Sequence, residues 1–82
     1  MTKMLRGKIS VGMFPDEKVV TINDSSGIGI VLVASASLIS GDSVRVQVID
    51  SQDGKSLVLL PGDVFGSGRT VTVRDTELAE IG

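Results

Sequence analysis

Asp24, Ser26 and Gly29 are the residues whose types and spacing could bind a ligand. The pattern Asp-x-Ser-x-x-Gly places a carboxylate and a hydroxyl between two apolar segments, with a glycine where another group could approach the backbone. A carboxylate can accept from a guanine edge, a hydroxyl can donate, and exposed backbone N–H groups can hold a phosphate. The same residue types also make ordinary turns that bond their own backbone. The pattern therefore leaves two interpretations open, a nucleotide site and a structural turn.

Residues for catalysis or metal binding are scarce. The 82 residues include no cysteine and no histidine, which excludes disulfides, thiolate zinc sites and a histidine base. Three acidic pairs lack the spacing of a calcium loop: Asp16 with Glu17, Asp50 with Asp53, and Glu77 with Glu80. We therefore expect no metal, no cofactor and no enzymatic activity.

The elements that would position these residues are predicted to be strands. Valine and isoleucine supply 19 of the 82 residues, and β-branched side chains suit a pleated sheet. Alternation of apolar and polar residues predicts five strands, 5–13, 18–22, 43–48, 55–60 and 69–74, and a nearly continuous apolar run predicts a sixth over 27–34. Tight turns such as Asp53-Gly54 leave no room for crossover helices, so the strands should pair antiparallel. Six short twisted strands most economically form a barrel or a small sandwich.

The prediction is therefore an all-β chain, with one domain over residues 1–82 that forms a small six-stranded antiparallel barrel. Asp75 is predicted to cap a short helical turn over residues 76–81. The strand over 27–34 is nearly all apolar and is predicted to be buried on both faces. The predicted core consists of Ile9, Val11, Val20, Ile22, Ile28, Ile30, Val44, Val46, Val48, Val58, Val71 and Val73.

The order of motifs resembles the PilZ domain family, bacterial receptors for cyclic di-GMP built on a six-stranded antiparallel barrel. The Asp24 motif opens an apolar strand, and a Gly41-Asp42 turn precedes the next alternating strand. The resemblance implies that Asp24, Ser26 and Gly29 contact the nucleotide. That family also carries an Arg-x-x-x-Arg motif before its first strand, which this chain lacks. Arg6 is the single arginine there and completes the predicted ligand site, so cyclic di-GMP binding should be weak or lost.

Two functions follow as hypotheses. The first is a PilZ-like regulatory module in a bacterial cytoplasm that signals through contact with a protein partner. The alternative is a structural or assembly protein that self-associates through its β-sheet and has no small-molecule ligand. A net charge of -2 and only two aromatic residues argue against binding a nucleic acid polymer, and no apolar run is long enough for a membrane. A thin core without disulfide or metal support favours self-association.

Overall fold

The computed structural model describes residues 1–65 and 68–81, and these residues form strands joined by short connections. The strands are β1 (Thr2–Arg6), β2 (Lys8–Val11), β3 (Glu17–Asn23), β4 (Gly29–Ser35), β5 (Ile39–Ser40), β6 (Ser43–Gln52), β7 (Lys55–Leu59), β8 (Asp63–Phe65), β9 (Thr70–Arg74) and β10 (Leu78–Ala79). Two single turns of 3-10 helix, Ala36–Leu38 and Asp75–Glu77, are the helical elements in these ranges. The all-β prediction is confirmed.

The strands form two antiparallel sheets, and the predicted single six-stranded barrel is wrong. The six-stranded sheet has the order β10-β1-β6-β7-β9, with β5 also paired to β6. The four-stranded sheet has the order β2-β3-β4-β8. Among the strands of the described residues neither sheet closes on itself, and residues of both sheets contribute to one hydrophobic core. The arrangement is the face-to-face packing of two sheets.

The predicted strand over 5–13 is divided at Gly7 between the two sheets. The backbone N–H of Gly7 donates to the carbonyl of Asp42 at 2.8 Å, outside the β1 and β2 ladders. A Cβ atom at Gly7 would lie 2.8 Å from the carbonyl oxygen of Thr21, so a larger residue would clash with the backbone. β1 ends at Arg6 in the six-stranded sheet, and β2 begins at Lys8 in the four-stranded sheet. Glycine at the position between them permits the close approach to Thr21.

The core lies between the sheets and differs from the predicted one at both ends of the four-stranded sheet. Val11 is 82% exposed and Ile28 is 63% exposed, so both predictions are wrong. Val11 lies at the end of edge strand β2 beyond the core, and Ile28 lies in the loop before β4. Ile9 and Val48 pack against the core and are partly buried. The buried apolar residues are Leu5, Val20, Ile22, Ile30, Leu32, Ala34, Val44, Val46, Val58, Leu60, Val71 and Val73.

β4 is buried on one face only. Ile30, Leu32 and Ala34 point into the core, whereas Val31 points outward and is 37% exposed. The prediction of burial on both faces is therefore wrong for this strand. In an antiparallel sandwich each sheet buries one face against the other sheet and leaves its outer face open to solvent. A continuous apolar run does not show which face of the strand is the outer one.

The C-terminal segment pairs as a strand where a helical turn over 76–81 was predicted. Asp75 lies within the 3-10 turn rather than at its cap, and β10 then pairs with β1, with Leu78 opposite Leu5. That pairing brings the half-buried Leu78 against the core and adds ladder hydrogen bonds to β1. A single turn of helix would make fewer core contacts and fewer backbone hydrogen bonds, so the strand is favoured.

Candidate functional site

Asp24 and Ser26 lie in the loop that joins β3 to β4. β3 ends at Asn23 and β4 begins at Gly29, so the motif spans a hairpin connection. The Asp24 Oδ1 atom accepts three hydrogen bonds: from the Ser26 N–H at 2.9 Å, from the Ser26 hydroxyl at 2.7 Å and from the Ile28 N–H at 2.9 Å. Aspartate side chains that bond the backbone two residues later define Asx turns. Two of the three motif residues, Asp24 and Ser26, are therefore in direct contact with each other.

Backbone hydrogen bonds close the same loop. The Asp24 N–H donates to the Ile28 carbonyl at 2.9 Å, and the Gly27 N–H donates to the Asp24 carbonyl at 3.0 Å. Gly27 has a φ of +90°, a conformation that glycine adopts without steric cost. The Ser25 N–H donates to the Thr72 carbonyl of β9 at 2.8 Å, which ties the loop to the six-stranded sheet. The loop is thus fixed by bonds within the chain.

The electrostatics of Asp24 follow from these contacts. The Ser26 hydroxyl, and then the Ile28 N–H, hold the pKa of the Asp24 carboxyl below its ordinary value, because both donate to the ionised form. The side chain is therefore an ionised acceptor at neutral pH. All three hydrogen bonds end on Oδ1, and no hydrogen bond to Oδ2 is present among the described residues.

Gly29 does not have the backbone conformation that requires a glycine. It begins β4 opposite Asn23, and a Cβ atom there would meet the Asn23 and Thr21 side chains at 4.0 Å, an ordinary contact. Neither the fold nor the loop therefore explains why the residue is glycine.

Arg6 lies at the end of β1. It lines a cleft of about 440 Å³ at the corner where the chain passes between the sheets. The lining residues are Arg6, Gly7, Lys8, Thr21, Ile22, Asn23, Asp42 and Glu77. Asp24, Ser26 and Gly29 are not among them, so the structure brings one of the four predicted ligand residues to this cleft. The two cations of the lining are matched by two carboxylates, which weakens the attraction for an anion.

A polar cluster that sequence reasoning missed connects β6, β7 and the second 3-10 turn. Ser56 is buried, and its hydroxyl donates to Asp75 Oδ1 at 2.5 Å and lies 2.8 Å from the Ser51 hydroxyl. Ser56 and Asp75 are 19 residues apart, and only the pairing of β7 with β9 brings them together. No histidine or lysine takes part in this cluster, so we assign it to positioning the C-terminal turn.

The outer face of the four-stranded sheet is a third candidate surface. Val19 lies opposite Val33, and Thr21 lies opposite Val31, on the two central strands β3 and β4. Directly paired residues share a face, and the residues that alternate with these four point into the core. Val31 is 37% exposed, while Val19 and Val33 are half-buried by their neighbours. We call these four residues the valine face.

Opposite charges flank the valine face. Lys8 lies opposite Thr21 on β2, at one end of the face. Glu17 lies opposite Ser35 at the other end of β3 and also points outward. The described residues contain one ion pair, between Lys3 and Glu80, so Lys8 and Glu17 do not bind each other within the chain.

A second exposed apolar group lies at the tip of the β2–β3 hairpin. Val11, Met13 and Phe14 are 82%, 88% and 57% exposed. Met13 and Phe14 lie in the connection between β2 and β3, whereas all four residues of the valine face lie in paired strands. The tip is therefore a protruding group of side chains rather than a flat surface.

Comparisons with protein-family models, with curated proteins and with solved structures found no match. Across residues 1–65 and 68–81, no helix has the length and apolar character needed to cross a membrane. The same ranges contain no group of three or more acidic side chains placed to hold a metal ion.

Proposed function

We propose that this chain is a small structural module that self-associates through its four-stranded sheet and has no small-molecule ligand of its own. The observation that carries the proposal is the valine face, an apolar surface on paired strands of a short acidic chain. Apolar groups on adjacent strands remain solvated unless another surface covers them, and such patches commonly mark interaction sites. A domain of this size also gains stability from association, since its own core is small.

The valine face is better suited to association than the hairpin tip. Its members occur as direct cross-strand pairs, Val19 with Val33 and Thr21 with Val31, which makes a pleated surface that a second sheet can pack against. The tip residues Met13 and Phe14 have no such backing, and ordering a loop costs conformational entropy.

Sedimentation equilibrium tests this proposal. One chain has a mass of 8.5 kDa, and the average mass should rise toward a multiple of that value as concentration increases. A series from about 1 to about 100 µM covers the range of ordinary weak and moderate associations. A mass that stays at one chain throughout the series contradicts the proposal.

Cyclic di-GMP binding is the second candidate function. Two observations favour it: Arg6 and Lys8 line one cleft beside Asn23, and Oδ2 of Asp24 accepts no bond from the described residues. Two others weigh against it, since Asp24 lies outside the cleft lining and its Oδ1 already holds the loop. Without a second arginine the affinity should be lower by about thirtyfold than with a complete arginine pair.

Calorimetric titration with cyclic di-GMP separates the two candidates. The structural module gives no heat of binding up to about 1 mM ligand, a limit that corresponds to negligible affinity. A nucleotide receptor gives a saturable signal that Arg6→Ala and Asp24→Ala each weaken. Lys55→Ala, on the outer face of the other sheet, is the control variant and should leave that signal unchanged.

A further inference from the structure

A small cleft opens beside the six-stranded sheet, at the end of β7. Its volume is about 290 Å³. Five apolar residues line it: Leu38, Val46, Leu59, Leu60 and Pro61. Val46 and Leu60 are buried members of the core, and the other three are half-buried. The apolar part of the cleft is therefore backed by the core of the molecule.

Two arginines also line this cleft, Arg45 from β6 and Arg69 from the segment that precedes β9. The Arg69 Nη2 atom donates to the Leu60 carbonyl at 3.2 Å, which holds that guanidinium beside the apolar residues. The rest of its N–H groups stay available, since a guanidinium carries five donors. Arg45 points outward from β6 and makes no ion pair with any described residue. We call this site the arginine cleft.

The positive charge of the arginine cleft is not balanced by its own lining. The lining residues in the described part of the chain include no carboxylate. Glu80 lines a neighbouring cleft that shares Arg45, but its carboxylate pairs with Lys3 at 3.4 Å. Asp63, two residues after Pro61, belongs to β8 of the four-stranded sheet. Two guanidiniums beside an apolar surface therefore favour an anion that carries an apolar group.

We infer that the arginine cleft binds the C-terminal residue of a protein partner, with its carboxylate on Arg45 and Arg69 and its apolar side chain against Leu59 and Leu60. Guanidiniums bind carboxylates through charge-assisted hydrogen bonds, and capture of a terminal carboxylate is an established mode of peptide recognition. A C-terminal residue carries the carboxylate and the side chain on one Cα atom, so it supplies both groups within a small volume.

The size of the cleft favours this occupant over a cofactor. Pockets for small organic ligands span about 300 to 1,000 Å³, and the arginine cleft lies at the bottom of that range. One residue with its carboxylate suits such a volume. The lining residues come from β1, β6, β7 and connecting segments, and none belongs to the four-stranded sheet. The site is therefore separate from the valine face and goes beyond the proposed self-association.

NMR titration of the full chain with acetyl-Gly-Gly-Leu tests the inference. The peptide with a free carboxylate should shift the Leu59 and Leu60 resonances saturably, with a Kd below about 1 mM. The same peptide with an amidated C-terminus lacks the anion, and acetyl-Gly-Gly-Gly lacks the apolar side chain. Each should bind at least about tenfold more weakly, because each retains one of the two recognised groups.

Arginine variants locate the binding to the cleft. Arg45→Gln and Arg69→Gln should each weaken binding of acetyl-Gly-Gly-Leu by about tenfold. Arg45→Gln is the cleaner variant, because Arg69 also donates to the Leu60 carbonyl within the fold. Arg74→Gln removes the same charge from an exposed position on β9 outside the cleft, so it should bind the peptide as the native chain does.

Several results would overturn the inference. Equal binding of the free and amidated peptides would show that no carboxylate is recognised, and native affinity in both arginine variants would place the site elsewhere. Unchanged spectra up to about 10 mM peptide would show that the cleft takes no terminal residue. Inorganic phosphate that displaces the peptide at equal concentration would assign the arginines to a phosphate ligand instead. Val31→Lys, which alters the valine face, should bind the peptide normally, so a failure of self-association leaves the arginine cleft standing.

Discussion

The two sheets of the molecule have similar inner faces and different outer faces. On β6, a central strand of the six-stranded sheet, Val44 and Val46 point inward while Arg45 points outward opposite Met4 of β1. On the neighbouring strand β7, Leu57 and Leu59 also point outward and are half-buried. On β4, a central strand of the four-stranded sheet, Leu32 points inward and its neighbour Val33 points outward. A polar outer face is stable in water, whereas an apolar outer face gains free energy when it is covered. Val31 is exposed on the outer face of the four-stranded sheet, whereas the outward leucines of β7 are half-buried, so we expect the four-stranded sheet to be the one that associates.

The largest change in the free energy of unfolding is expected when alanine substitutions on the inner and outer faces of β4 are compared. Leu32 is fully buried, and Leu32→Ala should lower the free energy of unfolding by about 3 kcal/mol through lost burial and a cavity. Val33→Ala, one residue away on the valine face, should cost less than about 1 kcal/mol in the isolated chain. Urea unfolding at a concentration where the native chain is dissociated measures both.

Equal losses in the two variants would show that the outer face is covered as well as the inner face within one chain. The valine face would then be unavailable to a second copy, and the comparison between the sheets would fail.

A smaller change in stability is expected from the loop around Asp24, which precedes β4. The pKa of Asp24 is lower in the folded chain than in the unfolded chain, so the carboxylate stabilises the fold above the unfolded pKa of about 3.9. That contribution is lost as pH falls through the folded pKa. Asp24→Asn should therefore be less stable than native at neutral pH, with a difference that shrinks below about pH 4. Urea unfolding at several pH values measures this difference.

Ser26→Ala provides the control, because it removes the Ser26 hydroxyl bond, the largest cause of the lowered pKa. Its stability should be less sensitive to acid than that of the native chain. If native and Asp24→Asn differ by the same amount at all pH values, the carboxylate is not what holds the loop.

Much of the fold could be predicted because the alternation of apolar and polar residues is local information. Val44 and Val46, or Val71 and Val73, reveal an inward face without reference to the rest of the chain. The assignment of strands to sheets could not be predicted in this way. The alternation continues across Gly7, although the two sides of that glycine belong to different sheets and the close approach of its backbone to Thr21 leaves no trace in the pattern.

The candidate site shows the same division between local and distant information. The turn that Asp24 and Ser26 form could be predicted, because all three donors and the acceptor lie within residues 24–28. The contact of Ser56 with Asp75 could not, because it depends on the register of β7 against β9. The apolar run of β4 predicted burial but gave no sign that Val31 would face outward. The valine face is therefore a finding of the structure alone.

The measurement that tests self-association through the valine face most directly is the mass in solution of Val31→Lys beside Val11→Lys. Both valines are exposed, at 37% and 82%, and both receive the same charge, but only Val31 belongs to the valine face. A lysine buried without a partner at an interface commonly costs several kcal/mol, which is at least a thirtyfold loss of affinity. Val31→Lys should sediment as one chain at concentrations where native and Val11→Lys associate. Association of Val31→Lys as tight as native would contradict the account.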